Sequence, residues 1–350
     1  MFLYNLFDEA ASRSASDIHI KEWERPIIRV EWALVESGVD VKPDKIMMFD
    51  ALYTLMYGKK EKISYFKHNL EIDFGYVHND GHSYRWNAYM YSGKIGIAIR
   101  KIPENIKNLV ELGLPKSLSK VLQSKQWLFL ITGPTGSGKS TTMASMVDAI
   151  NEFRTEHIIT IEDPIEYLFH NKKSRFSQRE VVRDTLSFSH AIRAVLREDA
   201  DIIMIGEIRD AETMEIAMTL AETGHLVFST LHTASTVQTL TRIIQFFPSD
   251  VENQIRTRIA ESLIGVLSQR LIPRVDTPGR IAIREMMYMN SGIRNLVIKW
   301  DFVQIPNAIE TWSDEGMITM RRYAEALKEK WIVDEKEYRG YFTNDSTGNI

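Results

Sequence analysis

The eight residues GPTGSGKS, Gly133 to Ser140, constrain this chain more than any other stretch. They satisfy the spacing G-x-x-x-x-G-K-[ST], in which a glycine-rich loop wraps phosphate oxygens. Their context is the one such a loop needs. The apolar run WLFLIT leads directly into it, and STTMASMVDAI continues from it as a helix. Gly133, Gly136 and Gly138 let the backbone turn tightly and aim N–H groups inward, and Pro134, Thr135 and Ser137 complete the turn. Lys139 brings a point charge to the β- and γ-phosphates, and the Ser140 hydroxyl is a ligand for Mg²⁺. Thr141 adds a contact on the α-phosphate side, and the helix beginning near Lys139 turns its positive end toward the anion. A chance match in a glycine-rich turn would lack the flanking strand and helix. The segment is expected to bind a nucleoside triphosphate, but binding alone does not establish hydrolysis.

The surrounding pattern predicts an α/β domain. HIITIE, DIIMIG and HLVFSTL are further apolar strands, and helical segments separate some of them. FSHAIRAVL places Phe188, Ala191, Ile192, Val195 and Leu196 on one helical face, and AETMEIAMTLAETG reads as a helix stopped by Gly224. Strands alternating with helices imply a largely parallel, helix-covered sheet. The last hundred residues are expected to be mainly helical. MRRYAEALKEKWIVDEKEY reads there as one amphipathic helix, with a solvated surface helix the plainer interpretation and a partner contact the alternative.

Ahead of this domain the texture is different. Residues 3 to 14 read as a short helix, DIHIKEW and PIIRVEWALV as strands, and residues 43 to 57 as a helix. YRWNAYMYSG and KIGIAIRKI read as strands around a turn near Gly93, which makes a small α+β domain. Pro103, Gly113 and Pro115 mark a linker, so the expected division is 1–102, a linker 103–118 and 119–350.

Acids at strand ends are the next candidates, because ligands bind outside the carboxyl ends of strands in such sheets. TIEDPIE supplies Glu162, Asp163 and Glu166, any of which can orient or deprotonate an attacking water. A solvated acidic turn fits the same string. Glu207 ends the strand IIMIG, where a carboxylate holds Mg²⁺ through its water shell or positions water, and Gly206 leaves room beside the phosphates. The alternative is a turn acid favoured by the start of the next helix. His225 and His232 flank LVFSTL and suit sensing of the γ-phosphate, a bridge to a neighbouring subunit, or ordinary structural hydrogen bonding. Arg85 and Arg100 lie on strands of the first domain and matter only if that domain reaches a nucleotide.

Composition narrows the classes. The 350 residues are 44% apolar and 26% charged, as in globular proteins, with no apolar run of membrane-spanning length and no basic leader. With Cys 0, a disulfide framework and cysteine zinc sites are excluded, and a cytoplasmic location fits. The net charge of -4 gives no support to nucleic-acid binding.

Taken together, the motifs resemble those of the secretion-type hexameric ATPases, most closely their type IV pilus retraction subgroup. ASDIHI is similar to the N-terminal signature, GPTGSGKSTT to the Walker A loop, TIEDPIEY to the aspartate box and TGHLVFSTLHT to the histidine box. The run from Arg179 into DIIMIGEIRD resembles the approach to Walker B, and GIRNLV resembles the AIRNLI-type motif of the retraction subgroup. The resemblance covers nearly the whole chain. It implies a PAS-like N-terminal domain, a RecA-like ATPase domain, a homohexamer, and ATP held between the two domains. It makes Glu166 the general base, with Glu162 and Asp163 shaping the site, and Glu207 the Walker B acid. It sets His225 and His232 in the histidine box and gives Arg85 and Arg100 the stabilisation of phosphate charge.

By the same resemblance, the motor acts on an inner-membrane platform protein from the cytoplasmic face of that membrane. It is peripheral, without membrane insertion or nucleic acid, and a paralogous assembly ATPase is a further partner. Lys94 stands in YSGKIG where the resemblance leads one to expect arginine, so no role passes to it. Absence of cysteine removes the tetracysteine zinc site of assembly and type II secretion ATPases and favours retraction. The alternatives are a secretion or conjugation ATPase and a non-hydrolysing regulatory subunit.

Overall fold

The computed structural model describes residues 2–30, 33–78, 82–103, 105–181, 183–277 and 279–344. They form two compact units. The first comprises Met1–Asn105 together with Pro164–Leu168, and the second Ile106–Asp163 with Phe169–Ile350.

The first unit runs α1 (Phe2–Ser12), β1 (Asp17–Lys21), β2 (Ile27–Val30), β3 (Ala33–Glu36), α2 (Lys45–Leu55), α3 (Lys60–Asn69), β4 (Glu71–Val77), β5 (Ser83–Tyr91) and β6 (Lys94–Lys101). Its strands make a six-stranded sheet in the order β3-β2-β1-β6-β5-β4. Alternation decides which face is buried. Ile18, Ile20, Trp86, Ala88, Ile97 and Ile99 enter the core with Phe7 and Leu52, whereas the intervening residues of the same strands stay more accessible. Asp44 caps α2 by accepting from Met47 N–H.

PIIRVEWALV, expected as one strand, is instead two that pair antiparallel, with Val30 opposite Ala33, and residues 31 and 32 lie outside the described residues. A period-two pattern continues through a hairpin when no Gly or Asn marks the turn, so the sequence signal did not reveal the reversal. Strand β4 carries little strand signal in its sequence. Its EIDFGYV alternates weakly around Gly75.

The second unit runs α4 (Ser119–Leu122), β7 (Trp127–Thr132), α5 (Lys139–Phe153), β8 (His157–Glu162), β9 (Arg175–Glu180), α6 (Phe188–Val195), β10 (Ile202–Ile205), α7 (Ala211–Glu222), β11 (Leu226–Leu231), α8 (Thr236–Gln245), α9 (Glu252–Ser262), β12 (Leu263–Pro273), β13 (Arg280–Tyr288), α10 (Ser291–Ile298), α11 (Ile305–Thr311), α12 (Met320–Glu329) and α13 (Glu335–Asn344). The seven-stranded sheet has the order β13-β12-β7-β11-β10-β8-β9. All its pairings are parallel except β12 with β13. The central strands are buried along their length, which is why they read as continuous apolar runs. Helices α5 and α7 lie against β7 and β11, α6 against β8, and α8 against β12 and β13. Side chains cap α6, α7 and α8 from Ser187, Asp210 and Ser235, and Gly224 at φ +101° follows the end of α7.

Two expectations need correction here. Leu196 is 47% exposed, because α6 ends before it and the chain turns away from the core face. The stretch expected as one C-terminal helix is two, α12 and α13. Trp331 takes φ +57° between them and Val333 drops into the small core with Ile272, Ile283 and Leu327. The C-terminal helices form as expected, but a strand pair, β12–β13, precedes them and extends the sheet.

Candidate active site

The parallel register sets the geometry. Strands β7, β8, β10 and β11 all end at the same edge, so Gly133, Glu162, Gly206 and His232 leave the sheet there. Residues Gly133 to Gly138 bridge β7 to α5 as a loop. Gly136 at φ +76° and Gly138 at φ +85° occupy left-handed backbone that a side chain disfavours. At Gly133 a Cβ would lie 2.2 Å from the Gln269 carbonyl oxygen, so only glycine fits. Pro134, Thr135 and Ser137 fill the loop between them, and Ser140 and Thr141 open the first turn of α5 behind Lys139.

Lys139 is buried. Its Nζ donates to the carbonyls of Gly133 at 2.9 Å and Pro134 at 3.2 Å, and lies 3.5 Å from His232 Nδ1. The other ring nitrogen, Nε2, is 3.2 Å from Glu207 Oε2. An ammonium only donates, so Nδ1 is the acceptor and Nε2–H donates to the carboxylate. His232 therefore bridges the loop lysine to Glu207. The second Glu207 oxygen accepts from the Arg209 guanidinium. Partial burial pushes the Glu207 carboxyl up, but the hydrogen bond and charge of Arg209 and the hydrogen bond of His232 outweigh it and hold the group below its ordinary range. The carboxylate is thus kept ionised. Glu162 is buried at the end of β8 and accepts from Thr160 Oγ1 at 2.6 Å and Gln178 Nε2 at 3.2 Å. Asp163 adds negative charge near Arg209.

Of the remaining candidates, Glu166, Arg85 and Arg100 belong to the first unit and His225 to the other end of β11. Glu166 belongs to Pro164–Leu168, which packs within the first unit, and its Oε1 is 3.7 Å from Arg85 Nη1. Arg85 and Arg100 are direct cross-strand neighbours on β5 and β6. Arg100 Nε donates to Asp17 Oδ1 at 2.7 Å, and Arg29 approaches the same carboxylate at 3.7 Å. His225 does not join His232. It precedes β11 whereas His232 follows it, which puts the two roughly 20 Å apart along the strand. The His225 Nδ1 contacts the Leu220 carbonyl at 3.0 Å and Thr223 Oγ1 at 3.2 Å, at the end of α7. Of the readings open for the two histidines, local structural hydrogen bonding is the one His225 makes here, because residues that precede and follow a strand lie at opposite edges of the sheet.

Comparison with known proteins agrees with this architecture. The family described as type II/IV secretion system protein matches residues 1–297. The chain belongs to that family. It is 39% identical over 340 residues to the Pseudomonas aeruginosa type IV pilus retraction ATPase PilT, covering 97% of each chain. It is 41% identical over 268 residues to a Neisseria gonorrhoeae twitching motility protein, covering 77% of this chain and 72% of that one. Among solved structures, the pilus retraction motor PilT with bound ADP superposes with a TM-score of 0.89 at 36% identity, covering 96% of this chain and 95% of the other. The Legionella pneumophila ATPase DotB superposes with a TM-score of 0.86 at 28% identity, covering 98% and 95%. This secretion-family chain therefore has the mixed α/β ATPase architecture, with an N-terminal sheet domain ahead of the loop-bearing one.

One residue at the loop escaped the sequence reading. Gln269, on β12 and 1% exposed, accepts from Thr142 Oγ1 at 2.9 Å and donates from Nε2 to the Ser137 carbonyl at 2.8 Å. It follows the loop by more than a hundred residues and carries no local signature; a buried polar residue within an apolar strand was the only available sign.

Proposed function

We propose that this protein is an Mg²⁺-dependent ATPase, the hexameric motor that powers retraction of type IV pili. The observation that carries the reading is the bridge Lys139–His232–Glu207, which ties the phosphate loop to an ionised acid at the adjoining strand end. Lys139 leaves the Gly133 and Pro134 carbonyls for the β- and γ-phosphates, and the loop N–H groups surround the anion. Ser140 and Glu207 are the donors for the cation. One hydroxyl and one ionised carboxylate beside substrate oxygens suit a hard ion that keeps part of its water shell. When bound, the ion neutralises developing phosphate charge. His232 senses whether Lys139 is engaged and passes that to Glu207. Glu166 takes the proton of the attacking water, Glu162 and Asp163 shape its surroundings, and Arg85 and Arg100 stabilise the transferred charge. Similarity to retraction motors along nearly the whole chain, at 39% and 36% identity, supports the pilus role.

The motor works as a homohexamer at the cytoplasmic face of the inner membrane, against a platform protein and beside a paralogous assembly ATPase. A second pilus ATPase of Pseudomonas aeruginosa, PilU, is 36% identical to this chain over 284 residues, which supports a paralogous partner. Among the described residues no helix is long and apolar enough to cross a membrane.

Phosphate release from purified hexamer tests the chemistry. Lys139→Ala should abolish turnover, and Glu166→Ala should retain ATP binding with very slow turnover. Substantial turnover in the lysine variant sinks the assignment. A deletion strain tests the biology: excess surface pili support retraction, no pili point to assembly, and normal pili with lost export point to secretion.

A further inference from the structure

A phosphate loop has to turn its N–H groups inward, which leaves carbonyl oxygens facing the protein. Each buried one needs a donor. Lys139 serves the carbonyls of Gly133 and Pro134. The Ser137 carbonyl is served by Gln269, from the middle of a strand on the far side of β7 from β11. That carbonyl and the N–H of Gly138 belong to one planar trans peptide and point in opposite directions. Fastening the oxygen outward therefore aims the Gly138 N–H into the loop's concavity.

The same glutamine touches the loop at its other end, where its backbone carbonyl packs against Gly133 so closely that no Cβ fits. Its amide is also oriented. The Ser137 carbonyl is only an acceptor, so Nε2 has to face it, and Thr142 Oγ1 donates to Oε1 from the first turn of α5. Gln269 thus joins β12, the loop and the following helix within a 1% exposed setting, where an unmade hydrogen bond is costly.

We infer that Gln269 is a positioning residue for nucleotide binding, setting the peptide between Ser137 and Gly138 so that the loop is formed before phosphate arrives. The inference rests on the proposed ATPase reading, and wild-type protein that binds no ADP would remove that reading rather than this one. With wild-type binding established by titration calorimetry, Gln269→Leu is compared with Ser268→Ala. Ser268 precedes it on β12 and bonds Thr132 Oγ1 at 2.6 Å, so its loss also deletes one buried hydrogen bond. Gln269→Leu should raise the ADP Kd by about tenfold or more and raise the KM for ATP more than it lowers kcat, whereas Ser268→Ala should leave ADP affinity near wild type. Unchanged ADP affinity in Gln269→Leu, or equal losses in both variants, overturns the inference. If Gln269→Leu does not fold, Thr142→Val decides, since it frees the amide from its orienting hydroxyl. A rise of about threefold in ADP Kd is expected and an unchanged value refutes the role.

Discussion

Glu207→Gln separates chemistry from architecture. The substitution keeps the shape of the side chain and removes its charge. In the structure the carboxylate has two partners, Arg209 and His232, whose side chains are 63% and 50% exposed. Ion pairs to such exposed groups contribute little, so the two contacts together are worth about 1 kcal/mol or less. That corresponds to a fall in Tm of ~2–4 °C for a domain of this size. The linkage has a definite sign. The folded-state pKa of Glu207 is depressed, so its stabilisation is present above the ordinary value near 4.5 and is lost as pH falls through the lower folded value. The Tm difference between wild type and Gln variant should accordingly be small at neutral pH and vanish in acid. Turnover should respond very differently, because a charge that organises metal and water beside the γ-phosphate acts in the transition state. A loss of about 10²-fold or more in ATP hydrolysis is expected, measured as phosphate release at saturating ATP. Turnover within threefold of wild type, or a Tm loss several times larger than this estimate, would refute the reasoning.

Further outcomes follow from the same structure. His232→Ala should weaken ADP binding by the isolated chain, while His225→Ala, at the opposite end of β11, should leave it unchanged; equal losses of affinity would contradict the separation of the two sites. Arg284 is deeply buried, and among the described residues no carboxylate pairs with it. Its Nη atoms donate to the Leu112 and Gly113 carbonyls at 2.8 and 3.1 Å and to Tyr323 Oη at 2.9 Å, and burial pushes its pKa down against the pull of Tyr323. Arg284→Met strands the Leu112 carbonyl but not Gly113, which keeps the Tyr323 hydroxyl. Relief of the buried charge offsets part of the cost, so a net loss of about 1–2 kcal/mol is expected by denaturant titration, and a gain in stability would overturn this balance.

The ATPase fold and the loop were legible because their signals are local. The strand WLFLIT, the glycines and Lys139 lie within thirteen consecutive residues, and continuous burial of β7, β10 and β11 shows directly as apolar runs. The acids at Glu162 and Glu207 were legible for a similar reason, since each follows an apolar strand and parallel strands end together. Strand β9, whose RFSQRE is only partly buried, and the pair β12–β13, where Ser268, Gln269 and Arg284 interrupt the pattern, lacked that signal. Their polar residues are spent on partners elsewhere in the fold.

The sequence by itself determined that a phosphate loop, its helix and a set of strand-end carboxylates would share one parallel sheet. Only the tertiary structure decided their connections. It placed His232 between Lys139 and Glu207, sent His225 to the other edge, and brought Gln269 under a loop 132 residues away from it. The physical reason is that backbone propensity and burial act along a few neighbouring residues, whereas a buried hydrogen bond is satisfied by whichever strand the sheet order sets beside it.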